Sequence, residues 1–304
     1  MTWAPADIPD LAGKTVVVTG PTIGGIGFHT ALELARAGAQ VVLAGRTWSK
    51  LDAAEAAIRD EVLGARTEKV ALDLANLASV RTGAAAIADV APLDILVNNA
   101  GIMAVPHART VDGLESQLAT NHFGPFLLTG LLLPALAETG AGRVVTVSSI
   151  GHHGARRAPL SYPTVAVGRY SRMGVYAQTK LANLLFTYEL DRRLRAAGLP
   201  VKALAAHPGF ATTRLIANGT SFGPLSALAD RAYPLIAQTP AEGAWPSLMA
   251  ATADLPGGDF VGPGGPFQTQ GAPKLVRSSR VSRDAAAARA LWELSEQTTG
   301  ISYP

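Results

Sequence analysis

Short β-branched runs alternate with helix-length segments along this chain, and that alternation most limits the folds open to it. Lys14–Gly20 (KTVVVTG) reads as a strand and Ile26–Ala37 as the helix after it. Gln40–Ala44 gives a second strand, and Ser49 to about Val62 a second helix. Further strands are read at Leu93–Asn99, Gly142–Ser149 and Leu199–Gly209, with one more ending at Asp73 and a final strand or extended loop near Pro256–Pro266. The runs lack strict polar alternation, as expected of strands buried on both faces. They predict one parallel sheet with helices on both sides. No repeat and no linker divides the chain, and DAAAARALWELSEQTTG reads as a closing helix within 281–300.

Composition narrows the function. Hydrophobic residues make up 48% and charged ones 16% of 304 residues, which suits a buried core and argues against disorder. The net charge of +3, from 26 basic and 23 acidic residues, gives no basic track for nucleic acid. Arg156–Arg157 and the Arg277–Arg283 run read as solvated surface. Without cysteine, disulfides, thiolate catalysis and Cys-ligated metals are all excluded. The start of the chain lacks a basic region followed by an apolar one, so no signal peptide is expected. The apolar stretch Phe123–Ala137 is about 15 residues, against roughly 20 for a membrane span. We therefore expect a cytoplasmic protein with no membrane span. Long apolar helices could supply a homodimer face.

The turn after the first strand is TGPTIGGIG. Glycines between a strand and a helix let backbone approach a pyrophosphate, whose charge the helix N-terminus stabilises. Four residues separate Gly20 from Gly25–Ile26–Gly27. The longer loop is most easily absorbed at Gly24–Gly25, where positive φ costs little. The second strand ends AGRT: Gly45 leaves room and Arg46 offers a guanidinium for a ribose phosphate, with Thr22 adding a hydroxyl. Asp73, beside Leu74, either accepts from an adenine amino group or caps the helix starting near Asn76.

Tyr176 and Lys180 lie four apart in VYAQTK and so share a helical face. A neighbouring ammonium favours the phenolate, which would lower the tyrosine pKa and suit it to proton transfer. Ser148–Ser149 ends one strand and NNAG (Asn98–Gly101) another. Asn121 begins the apolar part of a long helix, and HPGFATT turns out of a later strand. His152, His153 and His207 are assigned turn and packing roles, and no metal site is assigned.

TGPTIGGIG, NNAG, NHFG, VSS, YAQTK and HPG together resemble the short-chain dehydrogenase/reductase family, over roughly Leu11–Tyr303. YAQTKLANLLFTYEL and ALWELSEQTTGISY are similar to its retinol-dehydrogenase-like and WW-domain-oxidoreductase-like branch. The resemblance implies a single-domain α/β Rossmann fold, a doubly wound parallel sheet of about seven strands with helices on both faces. It implies Tyr176 as acid/base and Ser149 as the hydrogen-bond donor to the substrate oxygen. Lys180 would bond the nicotinamide ribose, and Asn121 would hold a water of the proton relay. The expected cofactor is NADP (NADPH), lined by Gly20, Thr22, Gly24, Gly25, Ile26, Gly27, Arg46, Asp73, Leu74, Asn98, Ala100, Gly101, Tyr176, Lys180, Pro208, Gly209 and Thr213. The expected partner is a small-molecule carbonyl or its alcohol, lipophilic or polycyclic, covered by segments 150–175 and 212–240. The alternative is an NADP(H)-binding redox sensor or scaffold with vestigial catalysis.

Overall fold

The computed structural model describes residues 2–90, 92–158, 170–211 and 238–304. Thr213, and the apolar side chains Phe222 to Ile236 read as a substrate cover, lie outside the described residues. So do 159–169 of the earlier covering segment.

Among the described residues, eight strands form one sheet in the order β3-β2-β1-β4-β5-β6-β7-β8. They are β1 (Thr15–Thr19), β2 (Gln40–Gly45), β3 (Arg66–Ala71), β4 (Ile95–Asn98), β5 (Gly142–Val147), β6 (Val201–Ala206), β7 (Phe260–Pro263) and β8 (Pro273–Leu275). All neighbouring pairs are parallel except β7 with β8, where Val261 faces Leu275 in an antiparallel register. The extra strand over the expected seven is this β8 edge.

The α-helices of the described residues are α1 (Ile26–Arg36), α2 (Trp48–Glu61), α3 (Leu77–Ala88), α4 (Ser116–Leu118), α5 (Gly124–Glu138), α6 (Arg172–Ala196), α7 (Pro240–Thr252) and α8 (Ala285–Thr299). A π turn at Ala119–Phe123 joins α4 to α5.

Successive strand residues point to opposite faces, so each strand feeds two cores. Val16 and Val18 of β1 and Val41 and Leu43 of β2 pack with Leu34 of α1, Ile58 of α2 and Leu248 of α7. Val17 and Val42 turn the other way, onto Ile87 of α3, Leu128 of α5 and Leu190 of α6. Trp292 of α8 covers that second layer. Burying both strand faces is what the unalternating apolar runs require. None of the described helices is long and apolar enough to cross a membrane.

The sheet order reverses direction beside β1: β2 lies on one side of it and β4 on the other. The loops leaving β1 and β4 therefore part, and they open a crevice at the strand carboxyl ends.

Candidate active site

A cleft of about 390 Å³ fills that crevice. Its floor is the glycine turn. Gly20 has φ +68°, and a Cβ there would come within 2.9 Å of the Ala100 Cβ. Gly24 has φ +75° with open space beyond it. The Gly25 amide closes a turn onto the Thr22 carbonyl at 2.9 Å, which makes Gly24 the third residue of a four-residue turn. A positive φ at that place is what a type II turn demands. The longer loop is thus taken up at Gly24, and α1 still begins at Ile26 with Gly25 as its N-cap. No side chain caps α1, so the Ile26 and Gly27 amides at its start stay available for an anion at the cleft.

Thr19 holds the opposite wall to this floor. Its hydroxyl accepts from the amides of Asn99 and Ala100, each at 3.0 Å. The Asn99 side chain donates to the Thr19 carbonyl at 2.8 Å.

Of the expected cofactor residues, Gly20, Thr22, Gly25, Ile26, Gly27, Arg46, Asp73, Leu74, Ala100, Gly101, Tyr176, Lys180 and Pro208 line the cleft. Gly24 supports the turn from outside it, and Gly209 (φ +64°) packs against Thr269. Asn98 is displaced from its expected role. It is the last residue of β4, its side chain points into the core, and its amide donates to the Thr129 hydroxyl at 2.9 Å. The neighbouring Asn99 is the cleft residue. Asp73 does not cap α3: Asn76 does, accepting from the amides of Ala78 and Ser79. Asp73 shapes the turn before it by accepting from the Ala75 amide at 3.0 Å. Lys50 and Thr47 also line the cleft beside Arg46 and were not read from the sequence. Their signal, position in the first turn of α2 after the AGRT strand end, was present.

Gly45 has a steric reason. A Cβ there would sit 3.1 Å from Leu51 and 3.9 Å from Pro21, so a larger acidic side chain would be crowded at this strand end.

At the far end of the cleft, α6 presents Tyr176 and Lys180, both buried. Lys180 Nζ lies 5.7 Å from the Tyr176 ring centroid and donates to the Val147 carbonyl at 3.0 Å. Ser149 follows β5 and N-caps a 3-10 turn at Ile150–Gly154, its Oγ accepting from the Gly151 amide at 3.0 Å. Ser148 lines the cleft, but its hydroxyl is committed to the Lys180 carbonyl, to which it donates at 2.8 Å.

Asn121 sits in the π turn. Its side chain accepts from the Ile102 amide at 2.8 Å and donates to the Ile102 carbonyl at 2.9 Å and the Thr179 hydroxyl at 3.0 Å. Thr179 in turn donates to the Tyr176 carbonyl. A Cβ on Gly101 would fall 3.1 Å from Asn121 Oδ1 and 3.5 Å from Lys180 Nζ. The four expected catalytic side chains are therefore gathered around one corner.

The electrostatics add a contribution that the spacing does not show. Burial raises the Tyr176 phenol above its ordinary value, and a hydrogen bond with the Ser149 side chain works the other way. Burial also pushes the Lys180 ammonium down, to about 8. In the protein without ligand, desolvation outweighs the ammonium, and Tyr176 is a protonated phenol at neutral pH.

The histidines hold structure. His122 Nε2 pairs with the Ser295 hydroxyl at 2.8 Å, and His207 Nε2 with Gln268 Oε1 at 3.0 Å. Among the described residues no group of three His, Asp or Glu side chains could hold a metal ion.

A covered parallel sheet with a glycine-turn cleft at its switch point defines a doubly wound α/β protein of the dinucleotide-binding class. Comparison with known proteins narrows this. The family model described as short chain dehydrogenase matches residues 14–221. Human retinol dehydrogenase 13 is 38% identical over 308 residues, covering 97% of this chain and 87% of that protein. Human polyprenol dehydrogenase is 36% identical, covering 96% and 87%. A solved structure of a protein from Mycobacterium paratuberculosis is 44% identical with a TM-score of 0.79 and covers 100% of both chains. One described as an NAD(P)-dependent gluconate 5-dehydrogenase from Beutenbergia cavernae, with bound NADP, is 28% identical with a TM-score of 0.60, covering 80% of this chain and 91% of that one. The chain belongs to the short-chain dehydrogenase/reductase family and is retinol-dehydrogenase-like. It is an oxidoreductase of a family that acts on CH–OH or C=O groups with NAD(P) cofactors.

Proposed function

We propose that this protein is an NADP(H)-dependent oxidoreductase that interconverts a lipophilic ketone or aldehyde and its alcohol, with Tyr176 as the general acid/base. The observation that carries the reading is the corner where Tyr176 and Lys180 line the end of the cleft, with Ser149 hydrogen-bonded to Tyr176 and Asn121 linked through Thr179 to the same helical turn. The relatives named for retinol and polyprenol act on apolar alcohols by those names, which supports the lipophilic substrate class.

The residues present fit a dinucleotide. Uncapped α1 amides and side-chain-free backbone at Gly20, Gly25 and Gly27 suit the diphosphate. Arg46, with Lys50 nearby, suits a ribose phosphate, and crowding at Gly45 disfavours the acidic residue that an NAD site would use. When bound, the cofactor supplies the hydride.

The chain's own residues manage the proton. In carbonyl reduction the neutral Tyr176 donates its proton to the substrate oxygen, and Ser149 donates a hydrogen bond to the same oxygen as charge develops there. The Ser149 Oγ accepts from Gly151, and its O–H, which without ligand bonds Tyr176, would turn to the substrate oxygen. Lys180, 5.7 Å from the Tyr176 ring, and Asn121, joined to the same helix through Thr179, would serve the path by which the proton is restored. Alcohol oxidation runs the same steps backwards.

The test is NADPH consumption with a panel of apolar aldehydes and ketones, using the wild type and Tyr176→Phe. The expected result is turnover in the wild type, with at least about 100-fold loss in the variant while NADPH still binds. Equal turnover in the two proteins would overturn the assignment.

A further inference from the structure

His152 is fully buried, three residues beyond Ser149, and both ring nitrogens are engaged. Nε2 accepts from the Ser279 amide at 3.1 Å. A backbone amide can only donate, so Nε2 carries the lone pair and the ring proton sits on Nδ1. That Nδ1–H donates to the Ser149 carbonyl at 2.7 Å. The imidazole is neutral, since burial holds it down at about 4. It therefore acts through hydrogen bonds.

The two partners close a circuit. The segment holding Ser279 is anchored to α6, where Tyr188 donates to the Ser278 hydroxyl at 2.8 Å. Tyr188 and Tyr176 are on the same helix. The path from Ser149 through His152, Ser279, Ser278 and Tyr188 thus returns along α6 to Tyr176. The turn that His152 secures also packs on the phenol: a Cβ on Gly151 would lie 3.3 Å from both the Ser149 Oγ and the Tyr176 ring.

We propose that His152 is a positioning residue whose Nδ1–H, donated to the Ser149 carbonyl, fixes the Ser149 hydroxyl against the Tyr176 phenol, the bond from Ser279 holding the ring in the tautomer that donates. This rests on the reading of Ser149 and Tyr176 as the catalytic pair. A displacement of about 1 Å at such a pair can cost on the order of 100-fold in rate. The Ser149 bond also opposes the burial that raises the phenol, so loosening it moves the tyrosine higher still.

Three substitutions separate the bonds. The amide nitrogen of Asn reaches about where Nδ1 sits and can donate to the Ser149 carbonyl. The longer Gln reaches the Nε2 position and can replace only the bond from Ser279. Phe keeps the ring volume and makes neither bond. His152→Phe and His152→Gln are expected to lose at least about 10-fold in kcat with KM for NADPH within about twofold, and His152→Asn to recover most of it. In the direction of alcohol oxidation, the acid limb of the kcat profile moves to higher pH in the Phe and Gln variants and not in the Asn variant. If His152→Phe fails to fold, judged by NADPH binding, the Asn and Gln pair decides alone. Asn no better than Gln, or His152→Phe with unchanged kcat and profile, overturns the proposal. Ser149→Ala keeps the two levels apart. If it retains full turnover, the catalytic reading fails; if it is inactive while His152→Phe is unimpaired, only the role of His152 fails.

Discussion

Lys180 donates its buried ammonium to the Val147 carbonyl at 3.0 Å, and Asn183 shares that carbonyl at 3.2 Å. The end of β5, from which Ser149 projects, is thereby tied to the helix carrying Tyr176. No carboxylate is paired with this lysine among the salt bridges of the described residues. Its folded pKa lies below its unfolded one, at about 8 against 10.5. Between those values the unfolded chain holds the proton that the folded chain has released. Stability from this group therefore rises with pH across that window, at about 1.4 kcal/mol per unit, and below about 8 the full burial cost is present. Lys180→Met should lose this dependence in chemical denaturation between pH 7.5 and 10, which are about the practical limits. At pH 7 it should be as stable as the wild type or more so, because a buried charge gives way to an apolar chain. Turnover should fall at least about 100-fold. Parallel pH profiles for both proteins would refute the account.

Arg46 stands exposed at the rim of the cleft, next to the crowded Gly45. If it reads the ribose phosphate, Arg46→Ala removes a charge-assisted hydrogen bond of about 1.5–3 kcal/mol from NADPH and nothing comparable from NADH. Binding of NADPH should weaken between about 10- and 100-fold, and that of NADH by less than about threefold. Calorimetric titration of both cofactors checks it. Equal losses would remove Arg46 from the phosphate site.

Two glycines of the opening turn should behave oppositely. A Cβ on Gly27 would sit 2.3 Å from Asn99 Nδ2 and 2.8 Å from the Gly20 carbonyl. Gly27→Ala must therefore push the two walls of the cleft apart, and NADPH binding should drop at least about 10-fold. Gly24 has open space around it but φ +75°. Gly24→Ala should cost about 1–2 kcal/mol of stability through the left-handed conformation and leave binding within about threefold. Thermal unfolding with and without NADPH distinguishes the two. Binding lost in Gly24→Ala and kept in Gly27→Ala would reverse the assignment of roles.

The sheet was legible because β1, β2, β4, β5 and β6 are apolar on both faces and punctuated by Gly, Pro or Asn. β8 was not, because it is three residues long, follows a Gly/Pro-rich loop and leaves Lys274 and Leu275 exposed. Asn98 and Asn99 show the finer limit. Strand alternation sends one into the core and its neighbour to the cleft, and NNAG alone does not say which. The π turn at Ala119–Phe123 was hidden inside an apolar helical run, although Asn121 within it stood out as a costly polar residue. The burial that raises the Tyr176 phenol in the protein without ligand was not legible, because spacing reveals a neighbouring charge but not desolvation. His152 was read as a turn residue, but its tie to Ser279 was invisible for a related reason: the two are remote in sequence.

The buried histidines predict how the fold responds to acid. Burial lowers His122 to about 3, and His152 and His207 to about 4, against an ordinary value of 6.5. Below 6.5 the unfolded chain takes up protons that the folded chain refuses, so stability falls with pH. Each histidine contributes about 1.4 kcal/mol per unit until its folded value is reached. His122 offers a clean test. Its ring lies 5.2 Å from Phe123, 6.2 Å from Phe126 and 6.1 Å from Phe186, centroid to centroid, and its Nδ1 has no partner. Phe would suit this aromatic site. The Ser295 hydroxyl it leaves behind still donates to the Leu291 carbonyl at 2.7 Å. Urea unfolding of wild type and His122→Phe at pH steps from about 7 to 4.5 should show the variant losing less stability, by about 1.4 kcal/mol per unit. The difference should grow steadily below 6.5 and vanish above it. A constant offset at every pH would mean that the effect of His122 lies in packing alone, and that its protonation takes no part in acid unfolding.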